Sequence, residues 1–292
     1  MTRPTKLTHH LWRLPSRAMR YNAGLLASGG QVWLIDPGPH PDETAAAADL
    51  AAGLGALAGI VLTHSHWDHI LGPERLPGAP TLAHDLSGPT RPRHGEDPPA
   101  RVPRGEGRPG SRGAEPFRPP PCDAVARDGE TARLGELELQ LIHIPGHAAD
   151  QLAIFEPSAG ALWAADTLSD VEIPFVSHSL AAYEATLAKL AALPIRVLVP
   201  GHGEPTDDPG AIRGRLEADR HYLAELRARI GRVVAAGGPL EEALAACAAM
   251  AFREPAENAG PHRLNVESAY IELGGPADPD RVGWAQKGLI DE

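Results

Sequence analysis

Cysteine, lysine and long apolar runs are all scarce in this chain of 292 residues, and the shortages exclude several kinds of protein. Two isolated cysteines, Cys122 and Cys247, cannot build a disulfide framework or a thiolate metal knot, so a reducing, cytoplasmic setting is expected. No stretch approaches eighteen uninterrupted apolar residues, and no membrane helix is expected. The first twenty-five residues carry Arg3, Lys6, Arg13, Arg17 and Arg20 with no apolar run between them, unlike a secretory leader. The formal charge of −11 lacks the electrostatic footprint of a general nucleic-acid binder. Lysine occurs only at Lys6, Lys189 and Lys287, which carries no functional weight. Against these shortages stand 42% apolar and 22% charged residues, enough for a packed core and too apolar for global disorder. The length suits one large domain or one domain with an appendage. The 14 histidines exceed what packing needs.

Strand and helix signals alternate along the first part of the chain. Residues 24–26 and Gln31–Ile35 read as strands flanking the turn Ser28-Gly29-Gly30. Residues 42–57 are Ala-rich and helical, and Gly59–Thr63 is an apolar strand running into His64. This alternation predicts an α/β layered fold. The segment Ser87–Pro121 interrupts it with ten prolines, seven arginines and six glycines, and is expected to be a flexible insertion. Beyond it, Glu136–Ile144, Leu152–Phe155, Ala161–Ala165 and Ile195–Val199 read as strands and Ala181–Ala192 as a helix. Residues 211–235 form a long helical pattern stopped by Gly237-Gly238-Pro239, with further helices expected over 240–252 and 261–273. The expected division is a domain over 1–210, with the insertion at 87–121, and a C-terminal helical cap over 211–292.

The chemistry concentrates in Thr63-His64-Ser65-His66-Trp67-Asp68-His69. Imidazole and carboxylate are natural ligands of zinc and similar ions. Two residues apart on an extended loop, His64 and His66 can face one ion; Asp68 and His69 point towards a second. A single histidine here could be a surface or packed residue. Crowding three imidazoles and an acid together is costly unless something satisfies them. Beyond other strand ends lie His147 in Pro145-Gly146-His147, Asp166 after Ala164-Ala165, and His202 in Pro200-Gly201-His202-Gly203. Each is weak alone: a turn histidine, or for Asp166 a helix cap. Loops at strand ends of α/β sheets are where ligands gather.

Together these residues resemble the metallo-β-lactamase-fold hydrolases, from about Leu7 to Asp207, and the His-x-His-x-Asp-His motif is specific to that superfamily. The resemblance implies a four-layer αββα sandwich with a small C-terminal helical subdomain and metals at one edge of the sheets. It implies a first metal on His64, His66 and His147, a second on Asp68, His69 and His202, and Asp166 bridging both. Asp36 matches the family's acidic turn residue and would support the ligand loop by hydrogen bonds. The implied cofactor is a pair of Zn(II) ions, with iron or manganese as alternatives. A metal-bridging hydroxide would be the nucleophile, with Asp68 and Asp166 as its catalytic carboxylates.

Departures from particular branches narrow the choice. Asp166 argues against true β-lactamases, and His66 against the redox di-iron relatives. Pro-Gly-His-Gly-Glu stands where glyoxalase II-like thioesterases carry Cys-Gly-His-Glu-Tyr. Ser169 stands where acyl-homoserine lactonases often place tyrosine. The remaining resemblance is to small general hydrolases with a helical cap, acting on an ester, lactone or thioester. The alternatives are a phosphodiesterase or RNA nuclease using the same site, and an iron-dependent oxygenase resembling the persulfide dioxygenases. A metal-stabilised binding module is the non-catalytic alternative. Candidate pocket walls are Trp67, Phe175, His178, His221 and Tyr222, with packing or solvent exposure as the competing explanation for the last three. The expected partner is a small-molecule substrate, without membrane or nucleic acid, and a homodimer is an open option.

Overall fold

The computed structural model describes residues 3–87, 120 and 122–276. Apart from Ser87 and Pro120, the insertion lies outside these residues, as does the end of the expected helical cap. The chain forms two compact units: Met1–His143 with Asp150–Ala165 and Ile195–Pro205, and Ile144–Ala149 with Asp166–Pro194 and Thr206–Glu292. Two loops and a helix that precede residue 211 therefore group with the C-terminal helices.

The first unit holds two sheets. One consists of β1 (Thr5–Lys6), β2 (Leu11–Pro15), β3 (Asn22–Ser28), β4 (Gln31–Ile35), β5 (Ala56–Val61), β6 (Thr81–His84) and β7 (Ala124–Ala126), in that order. β1 to β4 pair antiparallel and β4 to β7 parallel. The tight β3–β4 hairpin is possible because Gly29 and Gly30 sit at φ 56° and 74°. Two consecutive positive φ values match the twist of the flanking strands. The second sheet has the order β12 (Val197–Val199), β11 (Ala161–Trp163), β10 (Leu152–Glu156), β9 (Leu137–His143), β8 (Glu130–Leu134). Only its β11–β12 pair is parallel.

Strand alternation explains the layers. Leu25, Leu34 and Ile60 point one way, onto Ala47 and Ala51 of α1 (Pro41–Leu54). Their neighbours Leu26, Ile35 and Val61 point the other way, onto Leu139, Leu141, Ile154 and Trp163 of the second sheet. A strand buried on both faces reads as a continuous apolar run, as residues 32–35 do. In the second sheet β9, β11 and β12 run in one direction, because β10 is antiparallel to both β9 and β11. Their C-terminal ends therefore open on one edge.

The second unit contains α2 (Leu180–Ala191), α3 (Pro209–Ala235), α4 (Leu240–Cys247) and α5 (Pro255–Glu272). Ser179 caps α2 by accepting from Ala182 N, and the Glu272 carboxylate accepts from Leu180 N at 2.6 Å and Ala181 N at 2.9 Å. A carboxylate on free N-terminal amides also complements the helix dipole. Asp208 caps α3 through Gly210 N, with Pro209 in the first turn. The helix expected over 261–273 starts earlier, at Pro255, and carries Pro261 in its interior. Both prolines could open a helix; the earlier one does. No helix of the described residues is long and apolar enough to cross a membrane.

Candidate metal centre

Asp36 leaves β4 in a left-handed conformation, at φ 43°, and is fully buried. Its Oδ1 accepts from Thr63 N at 2.7 Å. Its Oδ2 accepts from Thr63 Oγ1 at 2.6 Å and from His69 Nδ1 at 2.8 Å. Burial pushes this carboxyl up from its ordinary value, against the pull of His69 and the two Thr63 donors. With three donors directed at this carboxylate, His69 carries its proton on Nδ1 and its Nε2 is unprotonated. Thr63, having donated its hydroxyl proton to Asp36, accepts from His64 Nδ1 at 3.0 Å. His64 Nε2 is therefore unprotonated as well, an acceptor lying 3.0 Å from His66 Nδ1. One buried acid thus sets two imidazole tautomers. The loop that carries them is tied to the second sheet by Leu152 N, which donates to Thr63 O at 2.8 Å.

Two carbonyls do the same for the distant histidines. His202 follows β12 by three residues, and its Nδ1 donates to Met19 O at 3.0 Å. The carbonyl is aimed by backbone strain, since Met19 and Arg20 sit at φ 50° and 52°. The turn around His202 is sewn down by Asn22, whose Nδ2 donates to Pro200 O at 2.9 Å and Gly203 O at 2.8 Å. His202 Nε2 faces Asp68 Oδ2 at 3.2 Å, and His69 Nε2 faces the same oxygen at 3.6 Å. In the helical unit, His147 Nδ1 donates to Phe175 O at 3.0 Å, and its Nε2 faces Asp166 Oδ2 at 3.3 Å. Tyr183 Oη donates to Asp166 O at 3.0 Å, and Thr186 Oγ1 to Pro145 O at 2.7 Å, tying both loops to α2. Gly146, at φ 132°, permits this approach, because a Cβ there would run into the Tyr183 backbone.

This donor set fits divalent cations. An unprotonated imidazole nitrogen and a carboxylate oxygen repel at 3.2–3.6 Å, and a cation between them would turn repulsion into coordination. Within the sheet unit, Asp68, His69 and His202 each offer a ligand atom, all within 4.8 Å of one another.

The sequence profile of the metallo-β-lactamase superfamily matches residues 17–202. The chain belongs to the metallo-β-lactamase superfamily. Its fold is the metallo-β-lactamase fold with C-terminal helices, and it is a metal-dependent hydrolase. Among curated relatives, the hydroxyacylglutathione hydrolase of Jannaschia sp. (strain CCS1) is 31% identical over 198 residues, covering 66% of this chain and 68% of the relative. That of Acidiphilium cryptum (strain JF-5) is 31% identical over 230 residues, covering 78% and 82%. Among solved structures, a metallo-β-lactamase family protein from Thermus thermophilus has a TM-score of 0.66 at 25% identity, covering 94% of this chain and 98% of that one.

The superfamily member's expected pocket residues take different positions. Trp67 is half-buried between candidate ligands. Phe175 lies edge-on to the His147 ring, with centroids 5.7 Å apart. His178 is half-buried, and its N donates to Gly146 O at 3.1 Å. His221 is exposed on α3 and faces Glu225 at 3.7 Å. Tyr222 is buried in the helical unit, its hydroxyl 2.8 Å from His262 Nδ1. For these last two, solvent and packing describe the environment. Sequence reasoning missed Thr63 Oγ1 and the Met19 and Phe175 carbonyls. Only Thr63, adjacent to His64, had a side chain that could have signalled its part.

Proposed function

We propose that this chain is a dinuclear metal-dependent hydrolase of small thioesters, with esters and lactones as the neighbouring substrate classes. His64, His66 and His147 hold one ion, Asp68, His69 and His202 the other, and Asp166 serves both. The observation that carries the reading is that Thr63 Oγ1, Asp36 Oδ2, Phe175 O and Met19 O each face the Nδ1 of one of His64, His69, His147 and His202, which directs the four Nε2 atoms towards coordination. Topology supports it. β9, β11 and β12 end on one sheet edge, and His147, Asp166 and His202 follow those ends by three or four residues, a reach of about 10–14 Å. The printed activity of the 31% identical relatives favours a thioester. Zinc is the proposed metal, with iron or manganese as alternatives.

When bound, two such ions supply a water acidic enough to attack near neutral pH and a Lewis acid for the scissile carbonyl. The chain's own part is to hold the imidazoles aimed, and to offer Asp68 Oδ2 and Asp166 as carboxylates that orient the attacking group and receive its proton. The free thiols Cys122 and Cys247 support a cytoplasmic location. Light scattering tests the homodimer.

The test is elemental analysis of protein purified without added metal, followed by parallel assays on a hydroxyacylglutathione, a lactone and bis(p-nitrophenyl) phosphate. Two ions per chain and chelator-sensitive thioester turnover are expected. Turnover of the phosphodiester alone would replace this reading with phosphodiesterase. Iron with oxygen consumption would replace it with an oxygenase.

A further inference from the structure

Residues 166–176 run through the helical unit without helix or strand. Buried backbone groups in such a segment need partners from outside it. Here they come from side chains on the C-terminal helices and on the turn before α5. Arg215 donates to Leu168 O at 3.4 Å, and Arg253, which is paired with buried Asp219, donates to Ser169 O. Asn258 donates to Val171 O at 2.8 Å and accepts from Ile173 N at 3.4 Å. Seven residues further along α5, on the same face two turns on, Asn265 donates to Pro174 O at 2.7 Å and accepts from Val176 N at 2.7 Å.

The Asn265 pair has a directional consequence. In extended chain, the carbonyl of one residue and the amide two residues on point to one side, and the groups of the residue between them point to the other. Asn265 takes Pro174 O and Val176 N, which turns the Phe175 carbonyl away from α5. That carbonyl is the acceptor for His147 Nδ1 at 3.0 Å. The amide of Asn265 is itself fixed. It is wholly buried, and its Nδ2 also donates to the Tyr222 hydroxyl at 2.9 Å. Tyr222 in turn meets His262 Nδ1, which completes a connected polar network inside the unit.

We infer that Asn265 is a positioning residue for the metal ligand His147, acting through the Phe175 carbonyl, with Asn258 holding the same segment upstream. This rests on the proposed role of His147. The experiment measures metal affinity by chelator competition and records the visible spectrum of the cobalt(II)-loaded protein. For Asn265→Ala, one of the two ions is expected to bind about 10–100-fold more weakly, with an altered cobalt spectrum, while the other holds. Asn265→Asp keeps the acceptor for Val176 N and loses the donor to Pro174 O, so it should move the same way and serves if the alanine variant does not fold. Tyr270→Phe is the control: it removes a bond from α5 to Gly238 O at 2.9 Å and should lower the melting midpoint without touching either ion. His147→Ala run in parallel should lose one ion. If it does and the folded Asn265 variants bind both ions like wild type, the inference fails alone. If His147→Ala keeps both ions, the ligand assignment fails and takes the inference with it.

Discussion

Asp36→Asn exchanges one carboxylate oxygen for an amide NH2 and, through it, the protons on two imidazoles. The new amide keeps an oxygen for Thr63 N. Its two hydrogens then face Thr63 Oγ1 and His69 Nδ1, which were the two donors onto Oδ2. His69 must give up its Nδ1 proton and carry it on Nε2, the atom 3.6 Å from Asp68. Thr63 must accept rather than donate, so its own hydrogen turns to His64 Nδ1 and moves that proton to Nε2 too. Both rings then present N–H where a lone pair is needed. Losing a partner of this kind typically weakens metal binding 10–100-fold, about 1.4–2.7 kcal/mol, and here the loss is expected at both ions. Thr63→Val breaks only the branch to His64, so the His69 ion should survive it. The metal-free protein should lose about 2 kcal/mol, since bonds to a charged acceptor of ~1.5–3 kcal/mol each are partly offset by relief of burying the charge. At this size that is a fall of roughly 4–8 °C in melting midpoint. Chelator competition with elemental analysis and calorimetry read both quantities. Asp36→Asn protein that holds two ions with wild-type affinity would refute the proton relay.

Gly146→Ala should be severe. Strain at φ 132° and collision with the Tyr183 backbone together cost about 3 kcal/mol or more, and a thermal melt with a metal count should show lost stability and loss of the His147 ion. The Asp219 carboxyl is raised to about 7 by burial, against the pull of Arg253. Its folded value lies above its unfolded one, so its contribution to stability is fully present below about pH 4 and is lost as pH rises through about 7. Subtracting the pH–melting profile of Asp219→Asn from that of wild type should leave this downward slope; a flat difference would contradict it. Burial pushes the Cys247 thiol up to about 11, so at pH 8 a thiol reagent should label Cys122 alone until the helical unit opens. Peptide mapping after a short pulse checks this, and rapid labelling of both cysteines would count against the packing around α4.

What could be read from the sequence divides along a physical line. The candidate ligands stand out because imidazoles and carboxylates are chemically distinctive and most of them fall in a compact motif or beside glycines. Their orienting partners do not stand out, since Met19 O and Phe175 O are backbone atoms that every residue possesses. The long apolar strands were legible, with α1 ending at Leu54 rather than 57 and β5 ending at Val61 rather than 63. β1, β2 and β6–β8 were not foreseen. Thr5 and Lys6 are both exposed, and in Glu130–Leu134 only Leu134 is buried, so neither carries the alternation that marks a strand. Pro261 misplaced the start of α5, because an interior proline looks like an opening one. The expected boundary at 210/211 assumed that chain order follows spatial grouping, which the loops 144–149 and 166–176 do not obey.

The backbone passes back and forth between the units five times, at residues 143, 149, 165, 194 and 205. During synthesis the sheet unit has all its strands once Pro205 has emerged, whereas the segment after Asp166, whose Phe175 carbonyl meets His147, waits for Asn258 and Asn265 to tie its backbone. Loading of the ion proposed on His147 is therefore expected late in the life of a nascent chain. A ribosome-stalled product ending before Pro255 should be folded in its β-sheets and should lack the ion proposed on His147 while keeping the one proposed on His202.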